Sequence, residues 1–180
     1  RKSPLKETLE LARQGYIFAQ EVGNQEWAGY SAYAFCANGF ASAYNLTDLE
    51  KMTHDYCVSL MKLSQVAPAN WSQIYRQAVL SLTHYSDQQQ QIFFESPEQE
   101  ADFLSALHQA EDQLGLYHFH LCKLIINYLF RDIEAAHHHA LEARAKLDVA
   151  QGIVGLPIFY FYDSLVLLRQ LTQLSEANRA

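Results

Sequence analysis

The chain has 180 residues, of which 49% are hydrophobic and 18% charged, with a formal net charge of −7. That length holds one sizeable core or a short array of repeats, and that balance excludes a disordered chain. The acidic surplus repels phosphate backbones and anionic lipids, which excludes nucleic-acid and membrane-surface roles.

Arg1-Lys2-Ser3-Pro4 opens the chain with neither an initiator Met nor an apolar signal core behind it. This reads as a piece of something longer. Ser3 is placed to cap a first helix, with Pro4 in its first turn. Leu5, Leu9, Ala12, Tyr16, Ala19 and Val22 carry that helix at helical spacing, and Gly23-Asn24 stops it. A second helix is expected from Gln25 to Tyr44, with Ala28, Gly29, Ala32, Ala41 and Ala43 set among large aromatics. Small residues beside large ones suit close packing on several sides. Trp27 to Thr47 carries no charge, but its asparagines, glycines, serines and tyrosines point to a buried helix rather than a membrane span.

Thr47-Asp48-Leu49-Glu50 offers a capping box for a third helix bearing Leu49, Met52, Tyr56, Leu60 and Leu63 and ending before Pro68. The fourth is expected to start near Asn70-Trp71 and to carry Trp71, Ile74, Tyr75, Ala78, Val79 and Leu82. The polar stretch Ser86 to Glu95, with glutamines at 88 to 91, reads as a loop with Phe93 or Phe94 tucked in. Ser96-Pro97-Glu98-Gln99 restarts a fifth helix as cap, first turn and box. It is expected to end around Gln109 to Asp112.

Leu116 to Phe130 is apolar on nearly every side, so this sixth helix must be buried. The turn Arg131-Asp132 leads to a seventh helix with a small contact stripe: Ile133, Ala136, Ala140, Ala143 and Leu147. Alanines at that spacing let two helix backbones approach closely. Gly152 and Gly155 break the chain, and Pro157 begins an eighth helix through Leu168.

Only four prolines and seven glycines interrupt these patterns, which favours long helices over a turn-rich β fold. Trp27 and Trp71 are 44 residues apart, and further steps of the same size reach Gly115 and Phe159. A long helix, a tight turn and an alanine-striped return helix form the unit of tetratricopeptide (TPR) arrays, and the longer period lies nearer HEAT-like ones. The expected fold is therefore all-α: a right-handed, TPR-like α-solenoid of antiparallel hairpins with about eight helices. It would form a single domain over residues 1–180, with hairpins over 25–65, 69–111 and 113–147 and half-repeats over 3–22 and 156–174.

Chemistry is less evident. Between Arg76 and Lys123 there is no Lys or Arg, but seven acids: Asp87, Glu95, Glu98, Glu100, Asp102, Glu111 and Asp112. They read as a solvated face that allows a basic protein partner. Cys36, Cys57 and Cys122 are odd in number and far apart, with no C-x-x-C, which fits a reducing cytoplasm. Glu134-Ala-Ala-His137 puts a carboxylate and an imidazole on one helix face, as di-iron bundles require, but no second copy exists. In a helix, His137-His138-His139 point about 100° apart and cannot converge on one ion, so they read as a solvated face. His118 and Cys122, at i and i+4, read as a core pair, and His54-Asp55 as surface. Phosphate-loop and serine-elbow motifs are missing.

One resemblance adds a context. Gly152-x-x-x-x-Pro157-x-Phe159-Tyr160-Phe161-Tyr162-Asp163-Ser164-Leu165 resembles the helical segment of large multidomain signalling kinases best known from cyanobacteria. Glu26-x-Ala28-x-Tyr30, Asn70-Trp71-x-x-Ile74-x-Arg76-Gln77 and Tyr128-Leu129-Phe130-x-Asp132 agree, so the likeness spans Val22 to Leu168. In that family a serine/threonine-kinase-like domain precedes an AAA/STAND-type ATPase, a tetratricopeptide-like region, a GAF sensor and a sensor histidine kinase. The glutamine run and the three histidines depart from the pattern. The resemblance implies a cytoplasmic, non-catalytic scaffold or protein-interaction segment, with no catalytic, cofactor-binding or metal-binding residue of its own. Its implied partners are neighbouring domains of the parent or a basic protein, with neither nucleic acid nor membrane insertion. Phe159, Tyr160, Tyr162, Val166 and Leu167 on the eighth helix are the expected interaction residues, and the isolated segment is expected to form a two-fold homodimer that pairs helix eight or helix one with its copy. The alternative is a metal-dependent helical-bundle enzyme using Glu134 and His137.

Overall fold

The computed structural model describes residues 5–42, 44–83 and 93–177, with side chains of the last helix described to Thr172. The expected Ser3 cap, Ala43 and the glutamines at 88 to 91 lie outside the described residues. The described residues are all-helical: α1 (Leu5–Glu21), α2 (Gln25–Ala41), α3 (Leu46–Lys62), α4 (Val66–Thr83), α5 (Pro97–Gln109), α6 (Gln113–Leu129), α7 (Ile133–Arg144) and α8 (Gly155–Ala177), with a 3-10 turn at Leu147–Ala150. None of these helices is long and apolar enough to cross a membrane. The chain forms two compact units, residues 1–90 and 91–180.

In the first unit α2 packs most closely on α1, and α4 packs on both α3 and α2. Gly29 makes the α2–α4 approach possible: a Cβ there would stand 2.8 Å from Pro68 Cγ. Along that seam the Tyr33 and Trp71 rings meet edge to face at 5.3 Å, and the Phe40 and Tyr75 rings lie tilted at 5.8 Å. Tyr56 of α3 is wedged between Tyr16 of α1 and Phe35 of α2, at 4.8 and 5.6 Å. Three expected boundaries move, the first being the end of α2, which stops at Ala41 rather than Tyr44. Asn45, not Thr47, caps α3, its Oδ1 accepting the Asp48 N–H at 3.1 Å. Helix α4 begins at Val66 rather than near Asn70, because Pro68 falls in the first turn, where its missing N–H costs nothing. The shift matters for the 44-residue spacing. Trp27 is the third residue of α2 and Trp71 the sixth of α4, and their exposures are 63% and 7%.

In the second unit α6 is the central element, contacting α5, α7, α8 and the 3-10 turn. From Gly115 to Asn127 every residue except Lys123 is buried, as its all-round apolarity demands. Ala136, Ala140 and Ala143 of α7 are fully buried, so the alanine stripe is the packing face. Phe93 is buried and meets Phe119 at 5.6 Å, while Phe94 is half-buried against Phe103 at 4.8 Å. Ser96 Oγ caps α5 by accepting the Gln99 N–H at 3.2 Å, but the Gln99 side chain turns to Glu95 instead of closing the box. Helix α8 starts at Gly155, with Pro157 in its first turn.

Among the described residues one turn is used four times. Gly23, Ser64, Glu111 and Arg131 adopt positive φ of 73°, 58°, 52° and 68°. In each case the next N–H bonds back to a carbonyl five residues earlier: Asn24 to Ala19, Gln65 to Leu60, Asp112 to Leu107 and Asp132 to Asn127. This closure satisfies the last carbonyls of the outgoing helix. In three of the four turns the following Asn24, Asp112 or Asp132 then caps the incoming helix.

Candidate functional site

A buried pair of titratable side chains lies where α6 meets α7. His120 is buried on α6, and its Nδ1 is 3.0 Å from Nδ1 of half-buried His139 on α7. The two rings lie 5.2 Å apart at 37°, with Phe119 against both. A contact between like atoms fixes complementary tautomers: one Nδ1 carries a proton and donates, and the other accepts with its lone pair. Burial pushes both imidazoles well below their ordinary range, His120 to about 4 and His139 to about 3. Positive charge adds to this, from Lys146 on His120 and from Lys123 on His139. The triplet therefore does not behave as one solvated face. His138 is exposed, as expected, but His139 faces α6, and the half-buried His137 has a buried Nδ1. His120 drew no attention in the sequence, because its partner stands 19 residues away on another helix.

Charged groups around the pair are already engaged. Lys123 Nζ contacts Glu100 Oε1 at 2.8 Å and lies 5.4 Å above the Phe93 ring. Arg144 Nη2 grips both oxygens of buried Asp163 at 2.6 and 2.8 Å, tying α7 to α8. Asp112 and Glu100, read as surface acids, thus cap α6 and hold Lys123, whereas Glu95, Glu98, Asp102 and Glu111 are exposed. His118 and Cys122 are fully buried as the core pair expected of them, and burial pushes His118 down to about 3 and the Cys122 thiol up. Cys36 and Cys57 are buried too, with their thiols pushed up to about 11 and about 12. These shifts hold each group in its uncharged form at neutral pH, the opposite of the tuning that acid–base or thiolate chemistry needs.

Glu134 and His54-Asp55 are exposed. Among the described residues no group of three or more His, Cys, Asp or Glu side chains is placed to share an ion.

Of the expected interaction residues on α8, Phe159 and Val166 are fully buried and Tyr162 is half-buried against Tyr128 at 5.7 Å. Tyr160 and Leu167 are exposed, and so are Phe161, Leu168 and Leu171, which the expectation leaves out. The buried stripe on α8 is narrow, running through Phe159, Asp163 and Val166. The first unit also shows large apolar side chains to solvent: Leu11, Phe18 and Val22 of α1 and its exit, and Trp27 at the start of α2. The chain matches no protein-family model, and no curated protein or solved structure resembles it closely enough to count as a match.

Proposed function

We propose that this chain is a non-catalytic helical-repeat segment, TPR-like in its arrangement, that serves as a protein-interaction scaffold in a multidomain signal-transduction ATPase/histidine kinase. The observation that carries the reading is the face of α8. Phe161, Leu168 and Leu171 are each at least 60% exposed on a helix whose inner stripe is already satisfied. Apolar side chains grouped on one helix favour burial against protein. The repeated turn supports the solenoid arrangement, since it returns helix upon helix with a short, uniform connection. The tetratricopeptide-like region of multidomain signalling kinases, which the sequence resembles, gives the context: a cytoplasmic chain whose partners are the neighbouring domains of the parent. The shifted thiol and imidazole groups fit a role in which binding, not proton transfer, is the work.

Light scattering on the isolated chain tests this. Concentration-dependent dimerisation is expected, as an exposed apolar face finds its own copy when no other partner is present. Phe161→Asp combined with Leu168→Asp should abolish it while leaving far-UV ellipticity unchanged. A monomer at high concentration would overturn the assignment of α8 as a docking face. Stoichiometric iron or manganese that is lost in Glu134→Ala would replace the scaffold reading with an enzymatic one.

A further inference from the structure

We propose that the His120–His139 contact is a proton-operated latch between α6 and α7, closed at neutral pH and released by acid. The geometry sets how many protons the closed form can hold. With both rings neutral, one Nδ1–H donates to the other Nδ1 across 3.0 Å. A first added proton leaves that bond in place but puts a charge into a site walled by Phe119. A second proton would set two N–H groups head to head, and the contact cannot survive it. Once α7 lifts, both rings reach water and take protons at their ordinary value of about 6.5.

The surroundings sharpen the response. His108 of α5, Lys123 of α6, His138 of α7 and Lys146 beyond it all disfavour charge on the pair, and Glu142 alone favours it. Glu142 is itself drawn toward Lys146 at 3.5 Å, and Lys123 is held by Glu100. From α8 the nearest charged contact to α7 is Asp163, which Arg144 occupies. Beside the pair, the buried Ala136, Ala140 and Ala143 of α7 pack on α6, so lifting α7 is what brings both rings to water.

The sign follows from linkage. The open form binds more protons than the closed one at every pH below about 6.5, so closure is fully favoured above that value and weakens as pH falls toward about 4. Each proton taken up on opening raises the opening constant up to about tenfold per pH unit, so two raise it up to about a hundredfold. His118 is also buried and neutral, but it lies on the α6 core side and contributes alike to the parent protein and to a variant of the pair.

The test is amide hydrogen exchange of the 133–145 segment at pH 7, 6 and 5, corrected for intrinsic rates, in the full chain and in His139→Gln. That variant keeps a polar side chain opposite His120 but cannot titrate. The wild-type segment should lose protection by at least tenfold per pH unit between 6 and 5, and His139→Gln should lose about tenfold less per unit. Should the variant fold poorly, imidazole C–H resonances of the wild type decide the matter alone. Both members of the pair should titrate well below 6.5, in step with the loss of α7 protection. Titration near 6.5 with α7 still protected, or identical pH dependence in the two proteins, would overturn the latch.

Discussion

Asp163 shows what a single residue can hide. In the sequence it is a polar break in an apolar run, and its partner lies 19 residues earlier on another helix. In the structure it is a buried carboxylate on the inner stripe of α8, paired with Arg144. Arg144→Met should leave that carboxylate without its cation and cost about 1–3 kcal/mol, since a buried acceptor stripped of its donor loses its compensation for desolvation. Arg13→Ala, which removes an exposed pair to Glu10 within one helix, should leave the urea midpoint unchanged. Equal effects would mean that the α7–α8 contact is no stronger than a surface pair. The histidines carry the same lesson. Helical geometry correctly separates the directions of His137, His138 and His139, and it puts His138 in solvent. It cannot say what stands opposite each one, so the imidazole of His120 facing His139 was not legible.

Among the elements, α6 and α7 were the most readable. An all-round apolar helix has one physical solution, and a stripe of alanines at helical spacing has nearly one. Ala140→Leu should overpack the seam and cost about 1–3 kcal/mol, whereas exposed His138→Ala should stay within about 0.5 kcal/mol, both read from denaturant titration. Inverted costs would mean that the opposite face is packed. The starts of α3 and α4 were less readable. Asn45 and Thr47 are both capping types two residues apart, and only the backbone decides between them. A proline can end one helix or sit in the first turn of the next, and at Pro68 it does the second. The turns divide in the same way. Gly23-Asn24 announces a positive φ, but Ser64 and Glu111 adopt one with no residue-type signal, because the closure of the preceding helix imposes it.

For the whole molecule, the helical class was legible from composition and breaker content, while the burial of residues one period apart was not. The 44-residue spacing matches residue types, yet the two tryptophans it pairs sit in opposite environments, one in solvent and one in the core. A period in sequence records similar letters, whereas burial depends on how far into its helix each residue falls. The same limit applies to α8. Its several apolar sides were visible, but the pattern could not distinguish the stripe of Phe159 and Val166, which the unit uses, from Phe161 and Leu168, which it leaves open.

The three cysteines, finally, give the molecule a built-in clock. Each thiol is buried and held protonated, so an alkylating reagent at neutral pH acts mainly during excursions that uncover it. Two sit in the first unit and one in the second. The order in which mass spectrometry finds Cys36, Cys57 and Cys122 modified therefore tells which unit breathes more often. Native protein should show all three reacting far more slowly than in urea, and a thiol modified at the free-thiol rate would mean that its helix is not closed over it.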